Sequence, residues 1–175
     1  MSHARQYLDE TASIAGLINP DDIEAMVKEL VALRERRGRL FLIGLGGSAA
    51  NCSHAVNDFR KLAGIEAYSP VDNVAELTAR MNDEGEITVF DSCVTWMNSE
   101  DALFVLSVGG GFAAVSQAIT YAVRVCKKSG RKVLGIVGRD GGETKINGDC
   151  VIVVPTVNSE RITPHTEGWQ SVILH

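Results

Sequence analysis

The chain has no basic run beyond Arg34-Glu35-Arg36-Arg37, and its 17 Lys and Arg are outnumbered by 22 Asp and Glu, for a net charge of −5. A protein that tracks a phosphate backbone presents a basic face, so no nucleic-acid partner is expected. The short cluster reads as the solvated end of a helix. The cysteines, Cys52, Cys93, Cys126 and Cys150, show no CxxC pair and read as small buried apolar side chains in a reducing compartment. There is no stretch of 18 apolar residues and no basic-then-apolar start, which predicts a cytoplasmic protein with no membrane partner. Repeats, low-complexity segments and linkers are missing as well. One domain over 1–175 is expected, with helices over 1–38 and an α/β core over 39–175. The closing Val172-Ile173-Leu174-His175 carries no helix stop signal, so the native chain is expected to continue.

What the chain does have is 45% hydrophobic residues over a length of 175, enough to bury a core without disulfide or metal staples. It also has two glycine-rich turns, each following an apolar β-run: Gly44-Leu45-Gly46-Gly47-Ser48 after Leu40-Phe41-Leu42-Ile43, and Ser107-Val108-Gly109-Gly110-Gly111 after Leu103-Phe104-Val105-Leu106. A strand that ends in small residues and opens a helix aims free N–H groups and a positive dipole end at one point, which suits a phosphate. Any tight strand-to-helix turn also needs glycine.

Helices are predicted over about 4–17 and from Pro20 to about Gly38. The second has Asn19 as N-cap, Pro20 in the first position, and Asp21 and Asp22 facing the dipole. Strand 39–43, helix 49–63, a mixed stretch 64–83, helix 86–97, strand 102–107, helix 112–128, strands 132–137 and 150–154, and a helix from Thr163 or Pro164 follow. Short continuous apolar strands between helices indicate a three-layer αβα sandwich with a parallel, Rossmann-like sheet of the flavodoxin type. Ligands sit outside the carboxyl ends of such strands.

A dinucleotide site is the first alternative. Gly44-x-Gly46-Gly47 lacks the third glycine of GxGxxG, with the allowed Ala at position 49, and Glu66 is the one acidic candidate near the usual offset of about 20 residues. The second turn has no equivalent in that fold. No nucleotide cofactor is expected.

From about Phe41 onward the chain resembles the sugar isomerase (SIS) domain and, within it, the phosphoheptose isomerases. The resemblance rests on Gly44-Leu45-Gly46-Gly47-Ser48-Ala49-Ala50-Asn51-Cys52-Ser53-His54, Arg80-Met81-Asn82-Asp83, Ser107 to Gly111, Gly135 to Gly142, and Val154-Pro155 leading into the last helix. Arg161-Ile162-Thr163-Pro164-His165-Thr166-Glu167 is similar to a sedoheptulose 7-phosphate isomerase-like branch. The resemblance implies aldose–ketose isomerisation of an open-chain sugar phosphate through an enediol(ate). It also implies a homo-oligomer, dimer or tetramer, in which a neighbouring subunit completes the site. The apolar stripes of the first two helices suit such contacts.

The chemistry needs a phosphate anchor, a tuned base, and an acid or metal to polarise the carbonyl. For the anchor the candidates are Gly47, Ser48, Asn51, Ser107, Gly109, Gly110 and Gly111. Val108 to Phe112 replaces a family turn rich in Ser and Thr, so backbone amides must carry more of the binding. Asp83 matches an acidic residue that the family directs at sugar hydroxyls. His54 and Asp58 share one helix face at i and i+4, and match the family's histidine and its catalytic, zinc-binding glutamate. In a gap-free match Thr163 stands at the family's metal-binding glutamine and Ser171 at its catalytic histidine. Glu167 lies on the same stripe between them, and His165 stands near the helix start. The catalytic candidates are therefore Glu167, Asp58 and His165. The metal candidates, for zinc or a similar divalent ion, are His54, Asp58, His165 and Glu167. Arg139-Asp140-Gly141-Gly142 reads as a turn without a chemical role. Two other functions stay open: a non-catalytic phosphosugar-binding regulatory or accessory module, and an isomerase for another sugar phosphate such as arabinose 5-phosphate.

Overall fold

A computed structural model describes residues 1–112 and 114–175. Helices α1 (His3–Leu17) and α2 (Pro20–Glu35) lead into strand β1 (Leu40–Gly44) and helix α3 (Gly47–Asp58), which runs on into a π turn over Phe59–Ala63. Then come β2 (Ala67–Tyr68), α4 (Val74–Asp83), α5 (Asp91–Trp96), β3 (Ala102–Ser107), α6 (Gln117–Lys128), β4 (Lys132–Val137), α7 (Gly142–Asn147), β5 (Cys150–Val153) and α8 (Ile162–Leu174). The five strands pair in the order β2-β1-β3-β4-β5, all parallel.

Alternation along the strands builds two cores. Leu40, Leu42, Phe104, Leu106, Leu134 and Ile136 point to the face covered by α1, α2, α3 and α8. Phe41, Ile43, Leu103, Val105 and Val133 point to the face covered by α5 and α6. Period-two side-chain geometry in strands buried on both faces gives this three-layer αβα sandwich. No helix of the described residues is long and apolar enough to cross a membrane.

Local chemistry sets the helix ends. Asn19 Oδ1 accepts from the Asp21 N–H at 3.1 Å, with Pro20 in the first turn, as the sequence predicts. At the opposite edge of the sheet Asp101, fully buried, takes the Arg39 amide at 2.8 Å, its guanidinium at 2.7 Å and the Asn98 amide at 2.7 Å. Those donors outweigh burial and hold its carboxyl below the usual range.

Several elements differ from expectation. Strand β2 and helix α7 stand where no regular element was expected. The predicted helix over 86–97 is a 3-10 turn at Glu86–Thr88 followed by α5. The polar stretch before it is α4, whose exposed face is laced by Glu76–Arg80–Glu84 at 3.1 and 3.0 Å. Helix α6 begins at Gln117, so the second glycine turn opens into a loop in which Phe112 and Val115 exchange backbone hydrogen bonds at 3.0 and 3.1 Å. The apolar stripes of α1 and α2, expected to face another subunit, are used in part within the chain, with Ile14, Met26 and Leu33 buried in the core, while Leu8, Leu17 and Val27 stay exposed.

Helix α1 is fastened to the start of α8 by a charged cluster. Glu10 accepts from Asn158 Nδ2 at 2.8 Å, Arg161 Nε at 2.9 Å and His165 Nε2 at 2.8 Å, and Tyr7 stacks on the His165 ring at 4.4 Å. The Asn158 amide, the His165 ring and the Arg161 guanidinium hold the Glu10 carboxyl at about 2, against an ordinary 4.5. A carboxyl depressed in the folded state stabilises it above the unfolded value, and that contribution disappears as pH falls through the folded one. Thermal melts are expected to drop between about pH 4.5 and 2 as this contribution fades. Glu10→Gln is expected to lower the midpoint at neutral pH and to flatten the drop. Parallel melting profiles for the two proteins would refute the role.

Candidate active site

The strand order changes direction between β1 and β3, and the crevice outside their carboxyl ends is where ligands of such sheets bind. A cleft of about 710 Å³ lies there. Its walls are Leu45 of the first glycine turn, Ser107, Val108 and Gly109 of the second, Phe112, Val115 and Ser116 of the following loop, Arg139 and Asp140 after β4, and Ile162 and Thr163 at the start of α8.

Of the expected anchor groups, Ser107 and Gly109 line this cleft. Ser107 Oγ accepts from the Gly110 amide at 3.0 Å, which commits that amide and leaves the hydroxyl proton free to donate. The Gly109 and Gly111 amides have no partner among the described residues. Gly110 and Gly111 are buried, and their glycine identity is explained by close approach. A Cβ on Gly110 would stand 1.9 Å from the Gly141 carbonyl oxygen, at φ 66°. The Gly110 oxygen accepts from Thr144 N and Oγ1 at 2.8 and 2.6 Å, and the Gly111 oxygen from Glu143 N at 2.9 Å. The second turn is thus clamped onto the start of α7.

The first turn is already met by an internal anion. A Cβ on Gly47 would lie 2.5–2.7 Å from the Glu167 carboxylate, so this carboxylate sits directly over the first turn of α3, where the helix dipole favours negative charge. Ser48 is buried, and no side chain caps this helix. Asn51 uses its amide to tie α3 to α8, donating to the Glu167 carbonyl at 2.9 Å and to Gln170 Oε1 at 3.0 Å. Gln170, fully buried, donates in turn to the Ile136 carbonyl of β4 at 3.3 Å.

His54 and Asp58 share a face of α3 as expected, with Nε2 and Oδ2 3.1 Å apart. Their third partner is one the sequence did not single out. His175, at the far end of α8, places its Nε2 3.2 Å from His54 Nε2 and 3.2 Å from Asp58 Oδ2. Its other nitrogen lies 2.7 Å from the Ser171 carbonyl, which can only accept, so Nδ1 donates there and Nε2 is the nitrogen that faces the cluster. Asn57 donates to the other oxygen of Asp58 at 2.9 Å. The resemblance pointed to Ser171 for the family's histidine, and His175 comes to this pair of side chains from one helical turn further on. That i, i+4 offset was the available signal.

Other expected members lie elsewhere. His165 is buried against α1 with Glu10 as partner, apart from His54 and Asp58, and Glu167 faces Gly47 instead of joining them. Among the described residues His54, Asp58 and His175 are the one group of three His, Cys, Asp or Glu side chains close enough to hold a metal ion. Asp83 ends α4 in solvent, paired with Asn82 at 2.7 Å and outside the cleft lining. Arg139, read as part of a plain turn, lines the cleft.

A parallel sheet in this order, a glycine-turn cleft at its switch point and a His–Asp pair on the next helix define a protein of the sugar isomerase class. The solved phosphoheptose isomerase of Neisseria gonorrhoeae superposes with a TM-score of 0.83 over 98% of this chain and 92% of that one, at 22% identity. That of Francisella tularensis superposes with 0.82 over 99% and 98%, at 21% identity. The phosphoheptose isomerase of Helicobacter pylori is 30% identical over 152 residues, 81% of this chain and 77% of that protein. No family model matches the chain. On the strength of that relative the chain belongs to the phosphoheptose isomerase family.

Proposed function

We propose that this protein interconverts an aldose and a ketose phosphate, with sedoheptulose 7-phosphate as the favoured substrate. The observation that carries the reading is His54 and Asp58 on the helix opened by the first glycine turn, joined by His175, in a chain of this family. A base takes the proton from the carbon beside the carbonyl, the electron pair forms an enediol(ate), and the proton returns at the neighbouring carbon. Glu167 is the proposed base. It lies at the carboxyl edge of the sheet, one turn of α8 from the cleft residue Thr163. Ser107 and the amides around Gly109 anchor the phosphate, so its binding energy holds the reacting carbons in place. A serine where the resemblance implies a catalytic histidine argues for a non-catalytic phosphosugar-binding module, and His175 offsets that argument by bringing an imidazole to His54 and Asp58.

The donor set fits zinc or a similar divalent ion. Two imidazole nitrogens and a carboxylate oxygen face one another, with Ser171 and Asn57 orienting His175 and Asp58 from behind. Such an ion, when bound, polarises a carbonyl as a Lewis acid.

Within one chain the cleft and the cluster stand at opposite ends of α8. Thr163 and His175 are twelve residues apart, roughly 18 Å along a helix. That is longer than an extended seven-carbon sugar phosphate. We therefore propose that the cleft of one copy faces the cluster of another, so that active sites form in a homo-oligomer. Exposed apolar side chains support this reading on both rims: Phe112 and Val115 beside the cleft, and Leu62 beside His175.

Solvent deuterium is expected to enter C1 of sedoheptulose 7-phosphate and C2 of the aldose phosphate formed from it, read by NMR beside a panel that includes arabinose 5-phosphate. Tight binding without exchange on any member would select the binding-module reading. Glu167→Gln keeps the shape and removes the base, and is expected to cut turnover at least about a hundredfold with little change in phosphate affinity. Near-normal turnover there, with collapse in Asp58→Asn, would move the role to Asp58. Metal-free protein, checked by elemental analysis, is expected to lose exchange, and full activity without metal would reject the ion. Co-expressing Glu167→Gln with His54→Asn copies is expected to restore turnover that neither variant shows alone, whereas no restoration would place the whole site in one chain.

A further inference from the structure

The anchor described so far is short of positive charge. Val108 and Phe112 offer no hydroxyls, the Gly110 amide is committed to Ser107, and the α3 N-terminus already faces the Glu167 carboxylate. A phosphate brings close to two negative charges, and the chain as a whole is acidic. The charged residues among the cleft walls are Arg139 and Asp140. Asp140 is engaged in its own turn, where Oδ1 accepts from the Gly142 amide at 3.1 Å. Arg139 is exposed and makes no ion pair or hydrogen bond with any described residue.

The turn that carries Arg139 is rigidly joined to the anchor. The Gly138 amide donates to the carbonyls of Ser107 and Val108, both at 3.2 Å, and the Gly110 carbonyl is held by Thr144 on the other side. Arg139 itself has φ 52°, a left-handed conformation that is uncommon for a residue other than glycine, asparagine or aspartate. Its side chain is therefore presented from a fixed backbone beside Ser107 and Gly109. A guanidinium binds phosphate through a planar, bidentate fork, stronger than neutral donors.

We propose that Arg139 is the specificity residue for the phosphate, pairing its guanidinium with the phosphate held at Ser107 and Gly109 and replacing the hydroxyls that Val108 and Phe112 lack. The inference rests on the sugar-phosphate reading and names the group that makes the site select a phosphorylated ligand.

The test titrates inorganic phosphate, sedoheptulose 7-phosphate and unphosphorylated sedoheptulose into the full chain by calorimetry. Arg139→Asn removes the charge and tolerates the left-handed backbone, and Arg139→Lys keeps the charge without the fork. Arg139→Asn is expected to weaken inorganic phosphate and sedoheptulose 7-phosphate at least tenfold, with Arg139→Lys in between and unphosphorylated sedoheptulose unaffected. Phosphate binding by Arg139→Asn within twofold of the unaltered protein would overturn the inference and leave the isomerase reading standing. An unaltered protein that binds and exchanges no sugar phosphate would overturn that reading, and the inference with it.

Discussion

The structure depends on how α8 is held across the carboxyl edge of the sheet. The central tie is Gln170, fully buried, whose amide donates to the Ile136 carbonyl while its oxygen accepts from Asn51. An amide in an apolar layer is tolerated because its groups are paired, and a partner removed there would strand donors at about 1–3 kcal/mol each. Around this tie the turns of the helix meet α1 and both ends of α3. His165 reaches Glu10 on α1, Glu167 lies over Gly47 on α3, and His175 closes on His54 and Asp58. The same helix thus packs the core and sets the position of all the chemistry-bearing groups outside the two glycine turns and the turn after β4.

The glycine turns have two separable jobs. The first lets a carboxylate from α8 approach the start of α3, which a Cβ at position 47 would block. The second lets two backbone turns interlock, with Gly110 against Gly141, and so fixes the floor of the cleft. Phosphate binding at a helix N-terminus is the simplest reading of such motifs, but here the first N-terminus faces an internal anion and the second turn does not open a helix directly. The cleft offers the Gly109 amide, the Ser107 hydroxyl and Arg139 instead.

Much of this was legible in the sequence, for reasons that also explain what was not. The four longer strands are continuous apolar runs, which only a sheet covered on both faces requires, and the family motifs follow in order along them. Strand β2 has two residues, one of them exposed, and α7 has six with Thr144 as its buried member, so neither carries a periodic signal. His165 stood out near the start of the last helix, and its partner, Glu10, is 155 residues away, a pairing no local pattern shows. His175 went unnoticed because the gap-free register pointed to Ser171, whereas the imidazole that meets His54 and Asp58 stands one helical turn further along. Arg139 looked like turn punctuation because its exposure and its lack of a charge partner are properties of the folded chain.

The shortened acid at position 58 fits this geometry. With one methylene fewer than glutamate, Asp58 reaches less far from α3, and in this chain it does not need to, because His175 and His54 both come within about a hydrogen bond of Oδ2. A carboxylate held between two imidazoles is suited to orienting ligands or an ion and is poorly placed to travel to a substrate carbon. Glu167 has a longer side chain and no ion-pair partner among the described residues, which is in keeping with the base role proposed for it.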